Sequence, residues 1–154
     1  AQVSLTGARG TRTIPLADLY VRPAGAARYE HSIRSGEVLT HVQVPEAGLQ
    51  RRGVYEKAMD RKTWTFALVS VAAAARVRDG KLRDVRIVLG GVAAVPWRAE
   101  VAESIATGET LDERLASRAA QSVLTDAQPL RDNGYKVPLA RELVRRALMR
   151  LAVL

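Results

Sequence analysis

Phe66-Ala67-Leu68-Val69-Ser70-Val71-Ala72-Ala73-Ala74-Ala75-Arg76-Val77, joined directly to Arg78-Asp79-Gly80-Lys81, is the stretch whose reading decides the fold. The first twelve residues are almost continuously apolar, which suits either a helix or a strand buried on both faces. The next four residues settle the choice. Asp-Gly tolerates the positive φ angles of a tight type I′ turn and so joins antiparallel strands. Beyond it Val85, Ile87 and Leu89 alternate with Asp84, Arg86 and Val88, the period of a strand with one buried face. Residues 66–77 are therefore expected to be a strand despite their alanines. Tyr55-Glu56-Lys57-Ala58-Met59-Asp60-Arg61-Lys62-Thr63-Trp64 precedes them and reads as a short strand running into a polar loop with two aromatics, the place where a ligand would be met.

Composition narrows the function classes. The 154 residues, 47% hydrophobic and 26% charged, fit an ordinary globular chain with a real core. No run reaches the roughly 18 apolar residues of a membrane span, so no membrane partner is expected. Ala1–Gly10 has neither the charged start nor the apolar centre of a signal peptide, and a cytoplasmic location is expected, with the periplasm as the alternative if a partner chain carries the signal. With no cysteine, the chain offers no disulfide and no thiolate for a metal or cluster. His31 and His41 stand alone in separate segments, a poor basis for a metal site or a Ser-His-Asp triad. The net charge of +8 raises nucleic acid as a partner. Most of the 24 basic residues are arginines scattered through every segment, with no basic-aromatic stacking motif, so a solvated basic surface is the better reading and no nucleic-acid partner is expected.

Taken in order, Gln2–Leu5 and Thr11–Leu16 read as short strands around a glycine-containing hairpin at Gly7–Gly10, too little to stand alone. Pro15–Tyr20 suggests a helical turn, Val21–Ser35 an exposed loop, and Glu37–Pro45 a strand that ends at proline. Glu46–Gly53 is a polar connector and a candidate domain boundary. After the central hairpin, a helix is expected over about Pro96–Thr107, pairing Val101 with Ile105 and stopping at Gly108. Thr110 and Glu113 form a Thr-x-x-Glu capping box for a helix over about Leu111–Ala127, with Leu111, Leu115, Ala119 and Val123 as its apolar stripe. Asn133-Gly134 signals a turn, and Pro138 opens a last helix striped by Leu139, Leu143, Ala147 and Leu151. Strands first and helices last is an α+β layout: an antiparallel β-sheet with a layer of three C-terminal helices.

Tyr55-Glu56-Lys57, Arg61, Phe66-Ala67-Leu68-Val69-Ser70, Leu89-Gly90-Gly91-Val92-Ala93, Pro96-Trp97-Arg98-Ala99 and Asn133-Gly134-Tyr135-Lys136-Val137, in this order and spacing, resemble the flavin subunit of the molybdenum hydroxylases. The likeness runs from Thr11 to Ala152 and is nearest the aldehyde oxidoreductase, xanthine dehydrogenase and CO dehydrogenase types. It implies residues 1–48 as the tail of an FAD-binding domain and residues 49–154 as the flavoprotein C-terminal α+β domain. It also implies a missing part, because the family's glycine-rich FAD loops lie upstream and Gly7-Ala8-Arg9-Gly10 reads more simply as a hairpin. A fragment of a longer subunit is expected.

On composition alone Lys57 is an exposed strand lysine and Tyr55 a cross-strand packing residue; Arg61 either orients its loop or is solvated. The resemblance implies more: Lys57 reaches the flavin, Leu39 touches it, and Tyr55 and Arg61 belong to the same cofactor site. Trp64 and Thr65 depart from many relatives, in a manner similar to the aldehyde-oxidoreductase branch. The implied cofactor is FAD, with no catalytic residue and no metal ligand in this chain. Molybdenum cofactor and iron–sulfur clusters would sit on a molybdopterin-binding large subunit and an iron–sulfur small subunit. The competing class is a non-enzymatic interaction module with a basic surface.

Overall fold

A computed structural model describes residues 1–22 and 29–152. They form two compact units, Ala1–Gln50 and Arg51–Leu154. In the first, strands β1 (Gln2–Gly7) and β2 (Gly10–Pro15) form the expected hairpin, Gly7 pairing with Gly10, and β3 (Val38–Gln43) adds antiparallel to the other side of β1. The turn expected after Pro15 is a 3-10 helix over Leu16–Leu19. Of the loop expected over 21–35, residues 23–28 lie outside the described residues. A short helix, α1 (Glu46–Leu49), stands within the expected connector. Among the described hydrophobics of this unit only Val3, Leu5 and Leu19 are buried, and β3 buries neither face fully. Alternation in β3 therefore has no core behind it here.

One ion pair ties the unit together. Arg12 grips Glu37 through Nε and Nη2, both at 2.8 Å, and the Arg34 amide donates to the same carboxylate at 2.8 Å. The hydrogen bonds from Arg12, then Arg34, hold the Glu37 carboxyl down from its ordinary 4.5 to about 2. A carboxyl whose folded value is depressed contributes stability above its unfolded value and loses that contribution as pH falls through the folded one. Acid titration followed by melting temperature should therefore show a loss between about pH 4.5 and 2 that Glu37→Gln flattens. Equal slopes for both proteins would remove the pair from the acid response.

The second unit is a four-stranded antiparallel sheet, β4 (Arg52–Ala58), β5 (Val69–Arg78), β6 (Lys81–Gly90) and β7 (Trp97–Arg98), in that spatial order. The deciding stretch is a strand, as its hairpin turn demanded: Asp79 and Gly80 take φ of 53° and 69°. It begins three residues late, because the Leu68 amide bonds Ala58 O and leaves Phe66 in the preceding loop, 96% exposed. A bulge with Asp84 at φ 50° shifts the register between β5 and β6. Helices α2 (Glu100–Ala106), α3 (Glu113–Gln121) and α4 (Lys136–Ala152) pack on one face. Helix α4 lies on β4 and β5, α2 lies on β6, and α3 joins the two helices. Ala73 and Ala75 of β5 have side chains short enough for α4 to close on the strand, where Leu143, Val144, Ala147, Leu148 and Leu151 complete the core. Buried Glu56 of β4 accepts from Arg150 of α4 at 2.6 Å, with Arg146 at 3.8 Å.

Four local expectations are corrected. Trp97 and Arg98 pair with Leu89 and Val88 as an edge strand, so α2 starts at Glu100. Its core face is Ala102, Glu103 and Ala106, whereas Val101 is 61% exposed, because buried Glu103 is drawn to the sheet edge. The cap of α3 is Asp112, whose carboxylate accepts the Leu115 amide at 2.6 Å. Thr110 is taken instead into an extended bridge with Lys81, and Glu113 receives Arg145 at 2.7 Å. Leu124 at φ 57° lies in the turns that follow α3, which ends at Gln121 well before Ala127. The stripes of α3 and α4 hold, with Pro138 in the first turn of α4, where its missing amide costs nothing. No helix among the described residues is long and apolar enough to cross a membrane.

Candidate functional site

Period-2 geometry sets which residues of β4 meet water. Val54 and Glu56 face the helices, and Tyr55 and Lys57 face the other way, Tyr55 62% exposed. Cross-strand neighbours are small: Tyr55 stands opposite Ala72, and Lys57 opposite Ser70, which stands opposite Gly90. The Lys57 ammonium donates to Thr65 O at 2.8 Å, so it holds the loop over residues 59–68 as well as facing outward. Two more bonds shape that loop: Arg61 Nη2 donates to Trp64 O at 3.4 Å, and Thr65 Oγ1 donates to Asp60 Oδ1 at 2.9 Å. Trp64 sits at φ 53° and is 98% exposed. Left-handed backbone at a bulky residue costs of order 1 kcal/mol or more, and it persists where neighbouring contacts over-determine it.

Tyr55, Lys57 and Arg61 thus share one strand and the loop it enters. Leu39 belongs to the first unit, half-buried on β3 opposite Leu5. The loop-orienting role weighed for Arg61 matches its bond to Trp64 O, and Tyr55 is exposed.

Gly91 anchors the far side of the loop. At φ 74°, its backbone lies so close to the carbonyls of Leu68 and Ala67 that a Cβ would meet them at 2.9 and 3.2 Å. Its own carbonyl accepts Lys136 Nζ at 2.8 Å. Lys136 and Trp97 line a cleft of about 490 Å³, together with Val101, Leu124 and Asp126. None of Tyr55, Lys57 and Arg61 lines it. Sequence reasoning assigned Lys136 and Trp97 no role, although both fall in the short runs Pro96–Ala99 and Asn133–Val137 that carried the family likeness. Their separation in sequence hid that they share one cleft.

The profile of the CO dehydrogenase flavoprotein C-terminal domain family matches residues 54–151. Among curated relatives, the aldehyde oxidoreductase FAD-binding subunit PaoB of Escherichia coli (strain K12) is 36% identical over 135 residues, covering 85% of this chain and 38% of that one. The glyceraldehyde dehydrogenase medium chain of Sulfolobus acidocaldarius is 28% identical over 145 residues, covering 94% and 49%. A solved carbon monoxide dehydrogenase from Hydrogenophaga pseudoflava, lacking the Mo-pyranopterin moiety, superposes with a TM-score of 0.82 at 28% identity over 96% of this chain and 51% of that one. The chain spans less than half the length of the two curated relatives. With the sheet and three-helix layer in the matched region, the chain belongs to the CO dehydrogenase flavoprotein C-terminal domain family.

Proposed function

We propose that this chain is the C-terminal part of the FAD-binding subunit of a molybdenum-cofactor hydroxylase of the aldehyde oxidoreductase or xanthine dehydrogenase kind. The observation that carries the reading is the family match over 54–151, joined to a 36% identical relative that is itself named an FAD-binding subunit. In this reading the molybdenum cofactor and iron–sulfur clusters belong to the large and small partner subunits, and the working compartment is the cytoplasm. Bound FAD would supply the redox chemistry that passes electrons to an external acceptor.

The residues present fit part of such a cofactor. An ammonium and a phenol face outward from β4 beside a fixed aromatic loop, a donor set suited to the electron-rich edge of a flavin ring. No phosphate cradle accompanies them among the described residues, since Gly7 and Gly10 pair with each other across a tight turn. Lys57 would hold positive charge at the ring edge, Tyr55 would flank it, and the loop would exclude water. A flavin absorbance spectrum of the intact subunit, purified from its host, tests the reading; a colourless subunit that takes up no FAD would defeat it.

Lys57 also carries a quantitative expectation. Coulomb attraction at about 4 Å is roughly 4 kcal/mol at an effective dielectric of 20, and exposure leaves about a quarter of that. An ammonium favours the more negative, reduced ring, so Lys57→Met should lower the two-electron midpoint potential by roughly 20 mV. Lys57→Arg, which keeps the charge, and Lys62→Met and Lys81→Met, placed elsewhere, should move it less. Redox titration of the assembled enzyme reads all four; an unchanged potential in Lys57→Met would return this residue to a purely loop-holding role.

A further inference from the structure

Among the described residues three polar side chains are buried: Glu56, Ser70 and Glu103. Two of them are accounted for. Glu56 takes Arg150 at 2.6 Å, and Glu103 takes the Ile87 amide at 3.0 Å together with Arg98. Ser70, only 9% exposed, makes no side-chain hydrogen bond among the described residues. A hydroxyl withdrawn from water without a partner costs free energy that an alanine would not. Alanine is what β5 carries at each of the positions 72–75, so filling space does not explain this serine.

The register shows where the hydroxyl stands. Val71, Ala73 and Ala75 join the core beneath the helices, and the alternation of the strand turns Ser70 the other way, to the side of Tyr55 and Lys57. Ser70 lies directly opposite Lys57 on β4 and Gly90 on β6, so an ammonium, a hydroxyl and a bare backbone form one row across three strands. Gly90 shows which way the oxygen leans. A Cβ added there would meet Ser70 Oγ at 2.5 Å but Ser70 Cβ only at 3.9 Å, which places the oxygen over the glycine. Gly90 is not among the residues with positive φ, so what the glycine supplies is room for that oxygen. On the other flank Lys57 gives one proton to Thr65 O and keeps two for a ligand.

We propose that Ser70 contacts the cofactor: its hydroxyl donates to an acceptor on the edge of the flavin ring, beside the Lys57 ammonium, and Gly90 keeps its place open. The proposal rests on the functional reading above and adds a second donor to it. Donors on adjacent strands, about 4.8 Å apart at the backbone, suit a ring edge that carries more than one acceptor. A flavin's pyrimidine edge is of that kind.

The test measures FAD affinity of the intact subunit, by absorbance titration after its flavin has been removed, alongside melting of the FAD-free protein. Ser70→Ala should bind FAD about three- to tenfold more weakly, as loss of one hydrogen bond to a ligand does. The FAD-free variant should melt no earlier than the unmodified protein, because it has lost an unpaired hydroxyl. The two readouts separate a ligand contact from a structural serine, whose loss would lower both. Gly90→Ala should weaken binding at least as much, since its Cβ displaces the hydroxyl, and melting curves check that it folds. Ser117→Ala, on α3 at the other side of the sheet, should stay within about twofold. Unchanged affinity in Ser70→Ala, or a fall matched by earlier melting without FAD, would overturn the assignment. An unmodified subunit that takes up no FAD would defeat the functional reading, whereas one that binds FAD and is indifferent to Ser70→Ala would defeat this proposal alone.

Discussion

Glu103→Ala is expected to destabilise the second unit by about 3 kcal/mol, the sum of an orphaned backbone amide and a broken charge cluster. Glu103 is buried on α2 and does the work of a missing strand: its Oε1 accepts the Ile87 amide at 3.0 Å, on the side of β6 where β7 is only two residues long. Arg98 binds the same carboxylate through Nε at 3.0 and 3.1 Å and Nη2 at 2.7 Å. Leaving a buried amide without a partner costs about 1–3 kcal/mol. The Arg98 contribution is discounted to about 1 kcal/mol, since that side chain is half-exposed and takes up water once released. Glu103→Gln keeps the acceptor and loses the charge, so it should cost about half as much. Urea unfolding followed by circular dichroism separates the two variants. A cost below about 1 kcal/mol for alanine would mean that water satisfies Ile87 and that the carboxylate is dispensable.

Gly91→Ala should be of similar size, about 3 kcal/mol, and should also disturb the aromatic loop. Two effects add. A side chain at φ 74° is strained by about 1 kcal/mol or more, and the new Cβ would stand 2.9 Å from Leu68 O and 3.2 Å from Ala67 O, both backbone atoms. Moving those carbonyls shifts the chain that carries Thr65 and Phe66, and thereby the bond from Lys57. Faster tryptic cleavage at Arg61 and Lys62 in Gly91→Ala, beyond what its lowered stability explains, is the expected signature. Gly80→Ala, at φ 69° but with open space around it, should be strained without loosening the loop. Equal cleavage rates in the two variants would sever Gly91 from the loop.

What could be read from the residues was whatever local chemistry decides. Asp79-Gly80 determines its own turn, and the four-residue stripes of α3 and α4 are satisfied by any flat apolar surface beneath them. Phe66 misled because an apolar run looks buried, and the bonds that turn it outward come from Lys57 and Ala58, across the loop. Thr110 read as the cap because its spacing to Glu113 is local, whereas the pairing of Thr110 with Lys81, about thirty positions back, leaves that place to Asp112. Nothing local in the sequence marks Glu103, since its two tasks lie on Ile87 and Arg98. Tyr55, Lys57 and Arg61 became candidates through the family resemblance, and they lie together because one strand and the loop it enters carry all three. The cleft shared by Trp97 and Lys136 was not found, because it is made by segments distant in sequence.

The tie between Glu56 and Arg150 spans 94 residues and sets a schedule for synthesis. At about 5–20 residues per second, a ribosome needs about 5–20 s to travel from one partner to the other. During that interval β4, β5 and β6 have emerged while α4, which covers two of them, has not. The apolar side of the hairpin is then bare and open to other nascent chains or to chaperones. A message cut short before α4 would extend that exposure indefinitely, so the last helix acts as the lock that ends the vulnerable period of this polypeptide's birth.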